Sequence, residues 1–144
     1  MPTVELRFSA LPAHVRTARL VAAAVARRCG VDEAVLDEVR LAVGEACSRA
    51  VHLHRAHCPE RPVTVTLVDD ESRFRVAVAD EAPSGEGLEA DFGDLAALGD
   101  GDLDGEAAPP GVGLAVISGL VDDVSVENGH DGGVVVRMTW PIPA

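Results

Sequence analysis

Three short segments of the sequence carry residues whose types and spacing could do chemistry. Glu45 and Arg49 lie four positions apart, so on a helix they would share one face and could form a salt bridge. Asp80 follows an alternating apolar run, where an aspartate commonly ends a strand and begins a turn. Gly111 and Gly113 stand ahead of an apolar stretch, where they are either a flexible hinge or the start of a helix whose backbone N–H groups could bind an anion.

A fourth cluster, His52, His54, His57 and Cys58, could suggest a zinc site. On a helix, His54 would share a face with His57 or Cys58, whereas His52 would point elsewhere, and no second cluster of ligands is present. We therefore interpret these as solvated histidines at the end of a helix and predict no metal site. The three cysteines are scattered without CxxC spacing and are expected to be reduced, buried or half-buried thiols.

Hydrophobic periodicity predicts the elements that must position these segments. Strands are predicted over 3–9, 63–68, 73–79, 123–128 and 133–140, and helices over 12–28, from 32 to about 54, and from 111 to about 120. This order predicts one mixed or antiparallel sheet that is covered by helices on one face, which is a two-layer α/β sandwich. At 144 residues, the whole chain 1–144 is expected to form a single domain.

Residues 81–110 interrupt this regular pattern with glycine, proline and acidic residues. A long connection without secondary structure inside a compact domain usually has a function, often as a lid. The alternative is a disordered acidic insertion, and the sequence leaves the two open.

The charge of the chain excludes several classes of partner. Lys and Arg together number 12, and all of them are arginine; the net charge is −12. Between Arg75 and Arg137 lie 14 Asp and Glu residues and no Lys or Arg. Nucleic acids and anionic membranes both require a basic footprint, so neither is an expected partner. The absence of lysine also excludes a Walker A loop. No apolar run of membrane-spanning length and no secretion leader is recognised, so we expect a cytoplasmic protein whose partner is another protein.

The three segments, in this order and on these elements, resemble the boxes of the GHKL ATPase superfamily. Within it, the chain is similar to the anti-sigma-factor serine/threonine kinases of bacterial partner-switching systems, and the similarity extends to the terminal strand Gly132–Trp140. The resemblance implies the Bergerat (GHKL ATPase) fold. It also implies an ATP site with Glu45 as the general base toward water or a substrate hydroxyl.

The resemblance places a Mg²⁺-binding asparagine at the position that Arg49 occupies. A guanidinium carries five donors and no acceptor, so Arg49 cannot ligate a metal, and Mg²⁺ is not expected. Two interpretations follow. Arg49 either pairs with Glu45 along the helix, or replaces the charge of the metal and touches a phosphate directly.

The other two boxes are assigned by the same resemblance. Asp80 would accept a hydrogen bond from the adenine amino group, although Ala82 stands at the position of the family's following glycine. Gly111, Gly113 and Leu114 would approach the phosphates at a helix start. An acidic segment ahead of this box makes a triphosphate harder to hold, so ATP remains an open cofactor.

The resemblance implies a partner-switching regulator that binds a sigma factor, a STAS-domain anti-sigma-factor antagonist, or both, as a homodimer or in a heterocomplex. We expect lost or weakened nucleotide binding, and an active serine/threonine kinase that phosphorylates the antagonist with Mg·ATP is the alternative. The catalytic domain of a histidine kinase and a structural α/β domain without a nucleotide site are less favoured. A histidine kinase catalytic domain is expected to follow a helical hairpin, whereas the first element predicted here is a strand. A structural α/β domain would lack a cleft lined by Glu45, Asp80 and Gly113.

Overall fold

The computed structural model describes residues 2–82, 117, 119, 121, 123–129 and 132–143. Its elements are β1 (Thr3–Phe8), α1 (Pro12–Cys29), a 3₁₀ turn (Glu33–Val35), α2 (Leu36–His57), β2 (Val63–Asp70), β3 (Arg73–Ala79), β4 (Asp123–Asn128) and β5 (Val134–Pro141). The helix predicted from 111 to 120 lies mostly outside the described residues, although Ile117 and Gly119 are helical. Most of the expected lid, 83–110, also lies outside them.

The five strands form one sheet in the order β1-β2-β3-β5-β4, and each of the four pairs is antiparallel. Because side chains alternate across a strand, one set faces the helices and is buried. That set comprises Val63, Val65, Leu67, Phe74, Val76, Val78, Val134, Val136, Met138 and Trp140. The structure confirms the two-layer α/β sandwich, and the described strand pairs make its sheet antiparallel rather than mixed.

Small residues allow the helical layer to pack closely. The buried positions of α1 are Ala18, Ala22 and Ala26, which recur every four residues and therefore form one narrow face against α2. Pro12 occupies the first turn of α1, and Gly30 ends the helix in the left-handed conformation at φ 99°. No helix in the described part of the chain is long and apolar enough to span a membrane.

The long helix differs at both ends from its prediction. Asp32 accepts a hydrogen bond from the Ala34 N–H and caps the 3₁₀ turn, so α2 itself begins only at Leu36. At its other end α2 runs to His57, beyond the expected end near His54. Nothing between 55 and 57 breaks a helix, because the prolines that stop it stand at 59 and 62. This extension places His54 inside the helix.

Candidate functional site

Helix α2 carries Arg49 into the protein interior. Arg49 follows the buried pair Ala46 and Cys47 and precedes the buried pair Ala50 and Val51, so it lies within the apolar face of the helix. Its exposed fraction is 4%. Arginine is seldom buried to this extent without a charged partner. A partner must therefore come from another part of the fold.

That partner is Asp80, at the end of β3. The Arg49 Nη1 donates to the Asp80 Oδ2 at 3.0 Å, and the two side chains are 2% and 3% exposed. The expected i,i+4 salt bridge between Glu45 and Arg49 is not among the ion pairs of the described residues. Arg49 thus links two of the segments that sequence analysis singled out, in a way that neither sequence interpretation anticipated.

The second oxygen of Asp80 is also bonded. Its Oδ1 accepts from the backbone N–H of Ala82 at 3.1 Å and from that of Val134 at 3.3 Å. The Asp80 N–H in turn donates to the Val134 carbonyl at 3.0 Å. Asp80 therefore ends β3, as its turn interpretation predicted, and also fastens it to the start of β5. Both of its carboxylate oxygens have protein partners.

Gly133 permits this close approach of β5 to Asp80. A Cβ atom added at Gly133 would lie 1.8 Å from the Asp80 carbonyl oxygen, well inside van der Waals contact. The position therefore accepts only glycine unless the backbone moves. The φ of Gly133 is not positive, whereas that of its neighbour Gly132 is 90°, so glycine is needed at 133 for packing rather than for backbone conformation.

Glu45 lies one turn before Arg49 and is half-buried. Burial raises the pKa of the Glu45 carboxyl, and the nearby Arg19 guanidinium opposes this shift. Arg19 reaches this place because Gly44 has no side chain: a Cβ on Gly44 would lie 2.7 Å from the Arg19 Cδ. A carboxyl with a raised pKa has the chemistry of a general base, as its family position implies.

The remaining predicted residues divide into two groups. Ala82 is 1% exposed, and its N–H is bonded to Asp80, so its methyl group lies within the packed end of β3. Gly111, Gly113 and Leu114 lie outside the described residues. The structure therefore brings Arg49, Asp80 and Ala82 together, with Glu45 on the same helix.

His54 is a residue that sequence analysis misread. It is fully buried rather than solvated, whereas His52 and His57 are exposed as expected. Its Nδ1 lies 2.9 Å from the Arg61 carbonyl oxygen, and its Nε2 lies 2.9 Å from the Glu81 backbone nitrogen. The signal for burial was its four-residue spacing from Ala50 on the apolar face of α2. Prediction of the helix end near His54 concealed that signal.

The cysteines are free thiols, as expected: Cys47 and Cys58 are buried, and Cys29 is half-buried. Burial raises the pKa of Cys47 to about 12 and also raises that of Cys58. Within the described residues, no three His, Cys, Asp or Glu side chains are grouped so that they could hold a metal ion.

These side chains fit a magnesium triphosphate poorly. Arg49 offers only donors at the position where the resemblance places a metal ligand. Asp80 already accepts from Arg49 and from two backbone N–H groups. An adenine amino group would therefore have to compete with a charged donor of the same chain.

The chain matches the family described as "Histidine kinase-like ATPase domain" over residues 8–140. It is 31% identical over 141 residues to the serine-protein kinase RsbW of Bacillus cereus (strain AH187), with 94% of this chain and 82% of the relative covered. It is 30% identical over 136 residues to the serine-protein kinase RsbW of Bacillus subtilis (strain 168), with 94% and 83% covered.

Solved structures show the same fold. The RsbU and RsbW domains of a Mycobacterium tuberculosis protein match with a TM-score of 0.67 at 18% identity, over 100% of this chain and 34% of that one. The SiaB–SiaC complex of Pseudomonas aeruginosa matches with a TM-score of 0.66 at 11% identity, over 95% of this chain and 88% of that one. The chain therefore belongs to the histidine kinase-like ATPase domain family, alongside the RsbW serine-protein kinases.

Proposed function

We propose that this protein is a partner-switching regulator of the anti-sigma-factor type whose nucleotide binding is lost or weakened. It acts in the cytoplasm as a single domain, as a homodimer or in a heterocomplex, and binds a sigma factor, a STAS-domain antagonist, or both. Two findings support the regulatory class: the RsbW relatives cover nearly the whole chain, and the similar SiaB fold was solved in complex with a protein.

The observation that carries the nucleotide part of the proposal is the hydrogen bond of 3.0 Å between Arg49 and Asp80. Removing one partner of a buried ion pair typically costs about 3–5 kcal/mol, because the other charge stays buried without compensation. A hydrogen bond from the neutral amino group of adenine to this carboxylate returns only about 1.5–3 kcal/mol. The middle of these two ranges makes the exchange of Arg49 for adenine at Asp80 unfavourable by about 2 kcal/mol. Since each 1.4 kcal/mol is about tenfold in affinity, we expect nucleotide affinity to fall by more than about tenfold.

Metal chemistry points in the same direction. Phosphoryl transfer depends on metal ions that neutralise and position the phosphates. Arg49 places a positive charge without an acceptor atom where the resemblance puts that metal. Glu45 on its own could accept a proton from a hydroxyl, but the step would lack a positioned phosphoryl group. We therefore favour regulation by binding over catalysis.

The second candidate is an active serine/threonine kinase that phosphorylates its antagonist. Glu45 favours it, because burial raises the pKa of this carboxyl toward the range useful for a general base. The names of the relatives also favour it, since both are serine-protein kinases. In this version Asp80 would hold adenine, and Arg49 would have to leave Asp80 whenever nucleotide binds.

Reconstitution with purified partners tests the proposal. Sigma factors and STAS-domain proteins from the source genome are mixed one at a time with the full chain, with and without Mg·ATP, and complexes are detected by light scattering after size exclusion. We expect one of them to bind with the same affinity in both conditions and to receive no phosphate from labelled ATP. Nucleotide-dependent binding, or labelled partner that disappears with Glu45→Gln, would support the kinase instead. Absence of any complex with every member of both classes would contradict the regulatory proposal.

A further inference from the structure

The two partners of His54 determine which of its ring nitrogens carries the proton. The Arg61 carbonyl oxygen can only accept, so Nδ1, at 2.9 Å, must donate to it. The Glu81 backbone N–H can only donate, so Nε2, also at 2.9 Å, must accept from it. The ring is 0% exposed. The described contacts therefore require a neutral imidazole with its proton on Nδ1.

His54 and Arg49 hold the same short segment from one helix. Arg49 bonds the side chain of Asp80, and His54 bonds the backbone of the next residue, Glu81. The Asp80 carboxylate in turn accepts from the N–H of Ala82. The three residues 80–82 are thus fastened to α2 at two points, and they lead directly into the connection that begins at 83.

The charged groups around His54 are already engaged with one another. On α2, Arg49 pairs with Asp80, and beyond β3 the Glu81 carboxylate accepts from the Arg61 guanidinium at 3.3 Å. The turn after α2 carries two more titratable side chains, the exposed carboxylate of Glu60 and the buried thiol of Cys58. The backbone N–H of Cys58 donates to the His54 carbonyl. Among the described residues, no carboxylate accepts a hydrogen bond from the His54 ring, so an imidazolium there would have no counter-ion in contact.

We propose that His54 is an acid-sensitive latch that fastens the end of β3 to α2. Proton uptake on Nε2 turns the acceptor that the structure describes for the Glu81 N–H into a donor, so the two N–H groups repel each other. It also creates a buried cation beside the Arg49–Asp80 pair. The latch then opens: Glu81 separates from α2, and residues 80–82 keep Arg49 but lose His54 as a described attachment to that helix. The latch depends on contacts within this chain alone, so it is independent of whether a nucleotide or a protein partner binds.

Amide hydrogen exchange measured by NMR between about pH 8 and about pH 5 tests the latch. Protection factors are used, because they remove the intrinsic pH dependence of exchange. We expect protection of the Glu81 and Ala82 amides to fall at least about tenfold more than that of Val76, in the middle of the sheet. His52→Gln, which removes an exposed histidine from the same helix, should behave as wild type. His54→Gln should lose the pH-dependent component.

Either of two measurements can overturn the proposal. In the exchange experiment, the contrary result is protection of Glu81 that stays unchanged, or falls together with that of Val76, across this range. In ring ¹⁵N spectra of wild-type protein, it is a His54 proton on Nε2 near neutral pH, or proton uptake by the ring without loss of Glu81 protection. The ring measurement needs no variant, so it decides the matter even if His54→Gln does not fold.

Discussion

The Arg49 guanidinium and the Asp80 carboxylate, 31 residues apart in the chain, meet at 3.0 Å in the interior between α2 and the end of β3. The pair joins the helical layer to the sheet at the place where the family resemblance puts metal and adenine. Arg49, which occupies the position of the family's metal-binding asparagine, therefore links α2 to the end of β3. This relationship makes stability, as well as ligand binding, a way to test the account.

Removing one member of the pair should destabilise the protein strongly. Asp80→Ala removes a buried carboxylate that accepts hydrogen bonds from Arg49 and from two backbone N–H groups. The free energy of unfolding should therefore fall by about 3–5 kcal/mol. Urea denaturation followed by circular dichroism measures it. Glu127→Ala removes the acidic partner of the exposed Arg137 and should cost no more than about 1 kcal/mol. Equal losses for the two variants would contradict the structural role of Asp80.

The two members of the pair should also be coupled energetically. In a double-mutant cycle, Arg49→Met and Asp80→Asn remove both charges while keeping volume and the acceptor for the N–H groups of Ala82 and Val134. Their combined loss of stability should be smaller than the sum of the single losses, with a coupling energy of about 1–3 kcal/mol. Additive losses within about 0.5 kcal/mol would indicate that the pair does not form in solution.

The fold and the site differ in how far sequence could predict them. The alternation of Val63, Val65 and Leu67 indicated a half-buried strand because a strand has a period of two, and the register confirms it. Periodicity places a residue on a face, but it does not say which distant residue a long side chain will meet. The bond between Arg49 and Asp80 depends on how β3 is placed beside α2, so it was accessible only from the structure. His54 was missed for a simpler reason, namely that the helix end was predicted too early.

Two glycines should respond in opposite directions to the same substitution. Gly133→Ala would place its Cβ 1.8 Å from the Asp80 carbonyl oxygen, so β5 must shift and stability should fall by more than about 2 kcal/mol. At Gly119, which is helical and exposed, an added Cβ would have no atom of the described residues within 4 Å. Gly119→Ala should therefore stabilise by about 0.4–1 kcal/mol, through a less flexible unfolded chain. Thermal unfolding of both variants measures these two changes in stability. A Gly133→Ala variant as stable as the wild type would contradict the close approach of β5 to Asp80.

Glu45 should make stability depend on pH in a direction opposite to that of a paired carboxylate. Because burial raises its pKa in the folded state, the native protein binds this proton more tightly than the unfolded chain does. Its contribution to stability is therefore largest below its ordinary pKa of 4.5 and decreases as pH rises through the raised folded pKa. Glu45→Gln should raise the melting temperature at neutral pH and remove this dependence. Glu60→Gln, at an exposed position, is the control and should leave the melting temperature at neutral pH unchanged. A lower melting temperature for Glu45→Gln would contradict the assignment.

The cysteines should react with a thiol reagent in order of burial. Cys29 is half-buried and should be modified first. Cys47, whose pKa is raised to about 12, should be modified only as fast as the protein unfolds, since the thiolate is the nucleophile. Mass spectrometry of protein labelled at pH 8 gives the order, and Cys47→Ala identifies the slow component. Rapid labelling of Cys47 in folded protein would show that α2 is not packed as described.

Calorimetric titration of wild-type protein with Mg·ATP tests the central claim most directly. With Asp80 held by Arg49, we expect no saturable binding at micromolar nucleotide. We also expect Arg49→Asn, which removes the competing guanidinium and supplies an amide oxygen, to bind at least about tenfold more tightly than wild type. Micromolar binding by the wild-type chain that is lost in Asp80→Asn would contradict the account, because it would mean that adenine displaces Arg49 from Asp80.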